Sequence, residues 1–388
     1  MHNLKIGITI HVTKSEHSMW CTGVEQNILN LVKTLSNSSK NYDITLYNTA
    51  KDEEYNALIL DPLPILSVVD PLFLSYEDLL KSTPQLLIIF GGELSDSDIL
   101  MFKNKGTKVI YYTCGSLYQI SIRDMLYVNE EAWKKRRGIH SFTTLYDAVW
   151  TIPQVVPSNY FNKVMHRISP TIVPFLWDPM HILKLLKDIG SSKEEASYTP
   201  SSSSKRVTVM EPNKEWIKTF IYPLFIIEDV FRRHPALINT ISINNTGHLE
   251  KNDMFNHIFA QLDIWKSESV TKYLNKHWNT PIYLKEFTDI VVSHQDNNPL
   301  NYFYLDCLYL GYPIVHNASL IKESGYYYND WDGDEGSHQL ISALKYHDKN
   351  IEQYNEQSKQ TLWKFSANNP EIVEKYDNLI LDLFIKKI

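Results

Sequence analysis

Residues 289–317 read DIVVSHQDNNPLNYFYLDCLYLGYPIVHN. The apolar run Asp289–Val292 is followed by a polar turn, by a helical stretch that contains Asp306, and by a second apolar run, Pro313–His316. A strand, a polar loop, a helix and a strand in this order are typical of a parallel sheet with crossover helices. The stretch therefore predicts one unit of an α/β fold, with its polar loop at the carboxyl end of a strand.

The same alternation extends along the chain in both directions. Before this stretch, Arg206–Met210 and Asn239–Ile243 predict two further strands, and a helix is expected between them from about Lys214 to Phe231. In the first half, the predicted strands are Leu4–Ile10, Asp43–Tyr47, Leu86–Phe90, Lys108–Tyr112 and Ala148–Ile152. Between the two series the pattern stops in a polar, Ser-rich segment, which is typical of a flexible linker.

These patterns predict an α/β chain of two doubly wound, Rossmann-like domains. We assign residues 1–182 to the N-terminal domain, 183–205 to the linker, 206–365 to the C-terminal domain and 366–388 to a C-terminal helix. Ligands of such folds bind at the carboxyl ends of the strands, so we expect the site in a cleft between the two domains.

The composition agrees with two globular domains and disfavours several classes of protein. The 388 residues are 43% hydrophobic, and no apolar run is long enough to span a bilayer. The first residues lead directly into a strand, so we expect no signal peptide and no membrane partner. Three scattered cysteines favour a cytoplasmic location, in the host cytoplasm if the protein is viral. The net charge of −7 confines any contact with a polyanion to a local basic patch.

The stretch 289–317 resembles the donor-binding signature of GT-B glycosyltransferases of the retaining, sucrose-synthase-like class. Ser293 matches the serine of that signature, and Asp306 stands where its second glutamate is expected. Gly311–Val315 matches the closing strand, whereas Asn298 replaces the first glutamate. The resemblance implies the GT-B fold and transfer of a sugar from a nucleotide-sugar.

The class also carries an arginine and, five positions later, a lysine after the first strand of its second domain. Here Asn213 replaces the arginine and Lys218 keeps the lysine. The whole chain resembles more closely a family of bacterial and phage proteins that are similar to glycosyltransferases. The matching elements are Trp20–Gly23, Glu211–Asn213, Ser293–Gln295, Asn301-Tyr302, Gly311–Pro313, His316-Asn317 and Gly325–Tyr328.

The resemblance implies a metal-independent enzyme without a cofactor, whose co-substrate is a nucleotide-sugar, expected to be UDP-linked. The donor-binding residues that we assign are Gly23, Asn213, Lys218, Ser293, Asn297, Asn298 and Asp306. We expect Lys218 in the first turns of a helix, where its ammonium and the helix N-terminus would hold a diphosphate together. A solvated helix face at Lys218 and a plain helix-entry turn at Gly23 are the alternatives.

Two residues, Glu93 and His294, are the preferred candidates for catalysis. In a retaining reaction the donor phosphate itself can act as the base, so the protein mainly positions the substrates and stabilises the departing diphosphate. If the reaction inverts, a side chain must deprotonate the acceptor hydroxyl. The candidates at strand ends are Glu93, His11 and Asp147, and Glu93, which follows Gly91-Gly92, is our preferred base. His294 is the second candidate, with a structural imidazole as its alternative, and a helix-capping acid is the alternative at Glu93.

Two charged runs invite further interpretations. Lys134, Lys135, Arg136 and Arg137 could follow a phosphate backbone, which makes DNA with 5-hydroxymethylcytosine, as in T-even-type phages, an acceptor hypothesis. A solvated helix face is the alternative at this run. The acidic run Asp330–Glu335 could hold a cation, but we favour an exposed turn and assign no metal site.

Other functions remain open from the sequence. The acceptor could be a glycan or a lipid-linked glycan, and a sugar-phosphate epimerase could use the same scaffold. Because Asn213 and Asn298 replace charged residues, a nucleotide-sugar-binding protein without catalysis is a further alternative.

Overall fold

The chain forms two compact α/β units in a computed structural model, which describes residues 3–12, 23–50, 72–92, 94–128, 142–200, 204–213, 215–274 and 279–385. Unit 1 comprises Met1–Asp178 and Phe365–Ile388, and unit 2 comprises Pro179–Lys364.

Unit 1 is built on a parallel sheet. Its described strands are β1 (Lys5–Ile10), β2 (Asp43–Asn48), β3 (Leu72–Leu74), β4 (Leu86–Ile89), β5 (Lys108–Thr113), β6 (Ala148–Thr151) and β7 (Thr171–Ile172), in the spatial order β3-β2-β1-β4-β5-β6-β7. Its described α-helices are Gly23–Ser36, Tyr76–Lys81, Asp96–Asn104, Leu117–Tyr127, Asn159–His166 and Pro370–Ile385. All described strand pairs are parallel, and the central strands are apolar on both faces because helices cover both sides of such a sheet.

The C-terminal segment belongs to unit 1, although the chain passes through unit 2 before reaching it. Trp177 anchors the returning backbone, because its N–H donates to the carbonyl of Phe365 at 2.8 Å. The hydroxyls of Tyr112 and Tyr376 are hydrogen-bonded at 2.8 Å, and Ser38 donates to Asp377 at 2.7 Å. Helix Pro370–Ile385 therefore packs against the core of the first unit.

Unit 2 repeats the architecture with a second parallel sheet. Its described strands are β8 (Lys205–Val209), β9 (Ile238–Ile243), β10 (Thr271–Leu274), β11 (Ile290–Val292), β12 (Ile314–His316) and β13 (Tyr326–Tyr327), in the order β10-β9-β8-β11-β12-β13. Its described α-helices are Met180–Asp188, Lys193–Ala196, Ile221–Arg233, Asp253–Phe259, Asp263–Lys266, Thr280–Phe287, Tyr302–Leu310, Gly333–Tyr346 and Ile351–Phe365, which ends on the first residue of the returning segment of unit 1. A buried cluster of aliphatic and aromatic side chains between the sheet and its helices forms the core.

The segment expected to be a flexible linker, 183–205, carries regular structure within unit 2. Helix Met180–Asp188 covers its beginning, and helix Lys193–Ala196 follows. Ser192 accepts from the main-chain N–H of Glu195, and Glu195 accepts in return from the N–H of Ser192. Ser192 is thus the N-cap of a capping box. The Ser-rich composition of the segment, from which a flexible linker was predicted, did not indicate this helix start.

One helix begins later than its predicted position. Helix Ile221–Arg233 starts seven residues after the expected start at Lys214. Pro223 explains the shift, because a proline is tolerated in the first turn of a helix but would break a helix that had begun at residue 214. Lys218 therefore lies in the turn before the helix, where its N–H donates to the carbonyl of Glu215 at 3.2 Å.

No helix in the described part of the chain is both long enough and apolar enough to cross a lipid bilayer.

Candidate functional site

The polar loops that follow β8 and β11 meet at the carboxyl edge of the sheet of unit 2. The two strands are parallel neighbours, with Ile290 opposite Val207 and Val291 opposite Thr208. Their loops consequently leave the sheet side by side, and the N–H of Asp296 donates to the carbonyl of Ile217 at 2.9 Å. This edge is where ligands bind in doubly wound folds.

A buried carboxylate lies beneath these loops. Glu211 is 1% exposed and accepts hydrogen bonds from Ser293 Oγ, from Gln295 Nε2 at 3.0 Å and from the main-chain N–H of His294. Burial raises the pKa of the Glu211 carboxyl from 4.5 to about 7, although these hydrogen bonds and the nearby Lys218 ammonium act in the opposite direction. Glu211 is a residue for which no role was predicted from the sequence, although its position immediately after a buried strand is a signal of a functional acid.

Asn213 organises the loop that follows β8. Its φ of 52° lies in the left-handed region, and its Nδ2 donates to the carbonyls of Glu211 and Asn244, both at 2.9 Å. Its Oδ1 accepts from the N–H of Phe220 at 2.8 Å, and its own N–H donates to the carbonyl of Lys218 at 3.2 Å. Asn213, which we predicted to bind the donor, thus uses its side chain to shape the turn that carries Lys218.

Amides hold the loop that follows β11. The main chain of Gln295 exchanges two hydrogen bonds of 3.0 Å with the side chain of Asn317. The Oε1 of Gln295 accepts from Nδ2 of Asn298 and, at 3.2 Å, from Nδ2 of Asn301. Asn297 has a φ of 49° and donates to Asp296 at 2.9 Å. The loop is therefore fixed by its own side chains.

The predicted donor residues of unit 2 divide by exposure. Ser293 is fully buried, and its Oγ lies 2.8 Å from the hydroxyl of the buried Tyr304 in addition to its contact with Glu211. Lys218 and Asn298 are partly exposed, and Asn297 is exposed. The exposed groups can reach a ligand directly, whereas Ser293 supports the loop from within.

His294 is a buried, uncharged imidazole. The hydroxyl of Tyr328 donates to the carbonyl of Ser293 at 3.1 Å, so it accepts from Nδ1–H of His294 at 2.9 Å. Nε2 of His294 has no hydrogen-bond partner among the described residues, and the ring packs 4.2 Å from those of Tyr222 and Trp331. Burial lowers the pKa of His294 to about 4, which makes the imidazole a weak base at neutral pH.

Asp306 already has a partner in the structure. It lies in helix Tyr302–Leu310 with its side chain 6% exposed, and its Oδ2 is 3.1 Å from Nε2 of His181. A ribose hydroxyl would therefore have to share this carboxylate with an imidazole. His181 is a neighbour that sequence reasoning missed, because 125 residues separate it from Asp306.

The remaining candidates lie in unit 1 or in the acidic run. Gly23 is exposed and begins helix Gly23–Ser36. Glu93 and the basic residues Lys134, Lys135, Arg136 and Arg137 lie outside the described residues.

In the acidic run, Asp332 accepts from the N–H of Glu335 at 2.9 Å, and Glu335 accepts from that of Asn329 at 2.7 Å. Asp332 is thus the N-cap of helix Gly333–Tyr346, and Glu335 holds the turn that precedes the helix. Within the described ranges, no group of three or more His, Cys, Asp or Glu side chains is arranged to hold a metal ion.

The sequence matches a known family over nearly its whole length. The profile of the family described as "Protein of unknown function (DUF2827)" matches residues 6–380. No curated protein sequence matches the chain.

Solved structures of sugar-transferring enzymes are similar in fold. HepE of Anabaena, in complex with UDP-glucose, is 12% identical with a TM-score of 0.51, over 96% of this chain and 99% of that one. The trehalose-6-phosphate synthase OtsA is 12% identical with a TM-score of 0.56, over 99% of each chain. The UDP-forming α,α-trehalose-phosphate synthase of Burkholderia vietnamiensis is 10% identical, with the same TM-score and coverage. These similarities confirm the predicted α/β architecture as the GT-B fold.

Proposed function

We propose that the chain, which belongs to the DUF2827 family, is a glycosyltransferase that transfers a sugar from a nucleotide-sugar to a hydroxyl acceptor. The observation that carries the proposal is the pair of ordered polar loops at the carboxyl edge of unit 2, which present Lys218, Asn297 and Asn298 at its surface. Structures of the same fold bind UDP-glucose or are named as UDP-forming enzymes, which supports a UDP-linked donor.

Each exposed group has a task in this proposal. The Lys218 ammonium and the amides of Asn297 and Asn298 bind the donor diphosphate and stabilise its charge as the sugar leaves. Ser293 and Asn213 act from below by holding the loops that carry these groups. Asp306 binds the ribose hydroxyls if it exchanges or shares its contact with His181. Gly23 contributes main-chain N–H groups from unit 1.

The base depends on the stereochemical course. In a retaining reaction the donor phosphate accepts the proton of the acceptor hydroxyl, and the protein needs no base of its own. In an inverting reaction Glu93 is the proposed base, because the low pKa of His294 makes its imidazole a poor proton acceptor. No step in either course requires a metal ion.

The acceptor is proposed only as a hydroxyl compound bound by unit 1. DNA with 5-hydroxymethylcytosine is one such acceptor, and this hypothesis depends on Lys134–Arg137 alone. Glycans and lipid-linked glycans are the others. A screen of hydroxymethylated DNA against oligosaccharides distinguishes them, and alanine replacement of the four basic residues is expected to abolish transfer to DNA without changing donor hydrolysis.

The first test is binding and turnover of nucleotide-sugars. A ligand that binds only the folded protein raises its melting temperature, so we expect UDP and one UDP-sugar to stabilise the protein. We also expect slow release of UDP from that sugar in the absence of an acceptor. Stabilisation by nucleoside diphosphates without any turnover would instead indicate a binding protein without catalysis. This is the second candidate function, because Asn213 and Asn298 replace charged residues of the related enzymes. No effect of any nucleotide would contradict the proposed donor site.

A further inference from the structure

The two loops of the candidate site share a single buried carboxylate, that of Glu211. This carboxylate belongs to the first loop and accepts from Ser293 Oγ and Gln295 Nε2 of the second. We propose that Glu211 is a positioning residue of the donor site, which fixes the orientation of the Gln295 amide and, through it, that of Asn298. The inference rests on the proposed function, because it takes Asn298 and Lys218 as donor-binding groups.

The chemistry of the groups defines the direction of each contact. When it is ionised, the Glu211 carboxylate can only accept hydrogen bonds, so the Gln295 amide then turns its Nε2 towards Glu211 and its Oε1 away from it. Oε1 then accepts from Nδ2 of Asn298 and of Asn301. Through Gln295, the buried carboxylate of Glu211 thereby sets the orientation of the partly exposed Asn298 amide without itself contacting the ligand.

The same carboxylate also acts on the first loop. The Lys218 ammonium is close enough to favour the ionised form of Glu211, and the main-chain carbonyl of Glu211 accepts from Asn213 at 2.9 Å. Ile217, which precedes Lys218, accepts from the N–H of Asp296 in the second loop. Lys218 therefore lies near the Glu211 carboxylate, and the Asp296–Ile217 hydrogen bond joins its loop to the loop that carries Asn298.

The substitution Glu211→Gln separates this role from simple electrostatics. Removing a negative charge beside Lys218 should by itself strengthen binding of an anionic diphosphate. The new amide, however, has one acceptor oxygen in place of two. It keeps the contact with Gln295 only by turning its Nε2 towards Ser293 Oγ, which can then no longer donate to residue 211, and in the other orientation its Nε2 faces Nε2 of Gln295. If Gln295 rotates to avoid this, its Nε2 faces the donors of Asn298 and Asn301. A positioning role thus predicts that Glu211→Gln binds the UDP-sugar more weakly, whereas loss of the charge alone predicts that it binds more tightly.

An exchange of the two side chains should restore the contacts. In the double variant Glu211→Gln with Gln295→Glu, the amide at 211 can accept from Ser293 and donate to the carboxylate at 295. That carboxylate can still accept from Asn298 and Asn301, so the side-chain hydrogen bonds that join residues 211, 293, 295, 298 and 301 each keep a donor and an acceptor. The variant keeps one negative charge in the network.

The experiment measures KM and kcat for the UDP-sugar on the full chain, together with the affinity for UDP-glucose. We expect Glu211→Gln to raise KM by about 10-fold, with kcat changed by less than about 3-fold, since a hydrogen bond to a charged group is lost. The exchanged double variant should return KM to within about 3-fold of the wild-type value.

Glu228→Gln is the matched control, because Glu228 is also buried in unit 2 and accepts from the N–H groups of Asp263 and Ile264. It should lower the melting temperature and leave KM unchanged.

An unchanged or lower KM in folded Glu211→Gln would overturn the proposal. If that variant does not fold, the double variant decides: wild-type KM supports the positioning role, and a raised KM overturns it. A wild-type protein that neither binds nor turns over any UDP-sugar would instead remove the proposed function, a failure that is visible before any variant is made.

Discussion

At the scale of single residues, the buried carboxyl of Glu211 makes a prediction about pH. Its pKa in the folded chain is about 7 against 4.5 for an ordinary glutamate, because burial disfavours the charged form. A raised pKa means that the folded state binds the proton more tightly than the unfolded state. The stabilising contribution is therefore complete below about pH 4.5 and is lost as pH rises through about 7.

We expect the free energy of unfolding of the wild type, relative to Glu211→Gln, to fall by up to about 3 kcal/mol between pH 4.5 and pH 8. Urea unfolding of both proteins across this range measures the difference, and the other titrating groups cancel because both chains carry them. A difference that does not change with pH would show that Glu211 titrates as an ordinary glutamate.

Gly92 illustrates a constraint that local sequence does not show. Its φ is +72°, and a Cβ at this position would lie 1.7 Å from Oγ1 of Thr49. Gly106 has a similar φ of +86°, but a Cβ there would meet no atom within 4 Å. Only the first glycine is therefore required by packing as well as by backbone conformation.

The paired substitutions Gly92→Ala and Gly106→Ala test this difference. Both should cost about 1 kcal/mol for the left-handed backbone, and Gly92→Ala should cost about 1–3 kcal/mol more for the clash with Thr49. Melting temperatures of the two variants give the comparison. Equal losses would mean that Thr49 can move away at little cost.

At the scale of elements, the inner strands of both sheets could be predicted from the sequence because buried parallel strands are short apolar runs. The edge strands β3, β7, β10 and β13 were not predicted, because they are only two to four residues long and their described side chains are not buried. The position of Lys218 could not be predicted, since the prediction weighed the polar start of the segment and not Pro223, which delays the helix. The burial of Ser293 could not be predicted either, because its hydrogen-bond partner Glu211 lies 82 residues away in the chain. Exposure within the candidate site depends on such long-range contacts and not on the local pattern.

Asn213 provides a test of the first loop. Asn213→Gly keeps a residue that adopts φ of 52° easily but removes the side-chain hydrogen bonds, whereas Asn213→Ala loses both. We expect alanine to be less stable than glycine by about 1 kcal/mol, and both variants to weaken UDP binding. Equal stability of the two variants would show that the left-handed conformation is not maintained when the side chain is removed.

At the scale of the whole molecule, the described part of unit 2 contains three buried histidines whose pKa values burial lowers to about 4: His294, His316 and His347. A lowered pKa means that the unfolded state binds the proton more tightly. The stability that these neutral rings contribute is thus present above about pH 6.5 and is lost as pH falls towards 4. Acidification therefore destabilises the fold through these histidines and stabilises it through Glu211. The combined loss from three imidazoles is larger than the gain from one carboxyl.

We therefore expect acid to unfold unit 2 cooperatively below about pH 6, with a net uptake of up to about two protons, because the three imidazoles bind protons on unfolding and Glu211 releases one. His347→Phe keeps an aromatic ring among Tyr198 and Tyr354 and should reduce the proton uptake by one. The slope of the unfolding free energy against pH measures this number. An unchanged slope would show that His347 is already protonated or exposed in the folded chain.

The fold and the class of reaction could be proposed from the sequence because a short signature, 289–317, combines a strand, a polar loop and a helix. The acceptor could not, since unit 1 offers no comparable signature and its basic run has two interpretations. The proposed transfer reaction therefore depends first on the donor site.

The most direct test of that site is a calorimetric titration of UDP-glucose into the wild type, Lys218→Ala and Lys359→Ala. Lys359 is the control, because it is 74% exposed in helix Ile351–Phe365 and pairs only loosely with Glu356, at 3.7 Å. We expect Lys218→Ala to weaken binding by about 10- to 100-fold, because a charge-assisted contact is lost, and Lys359→Ala to have no effect. Equal affinity of all three proteins, or no binding by the wild type, would contradict the proposed donor site.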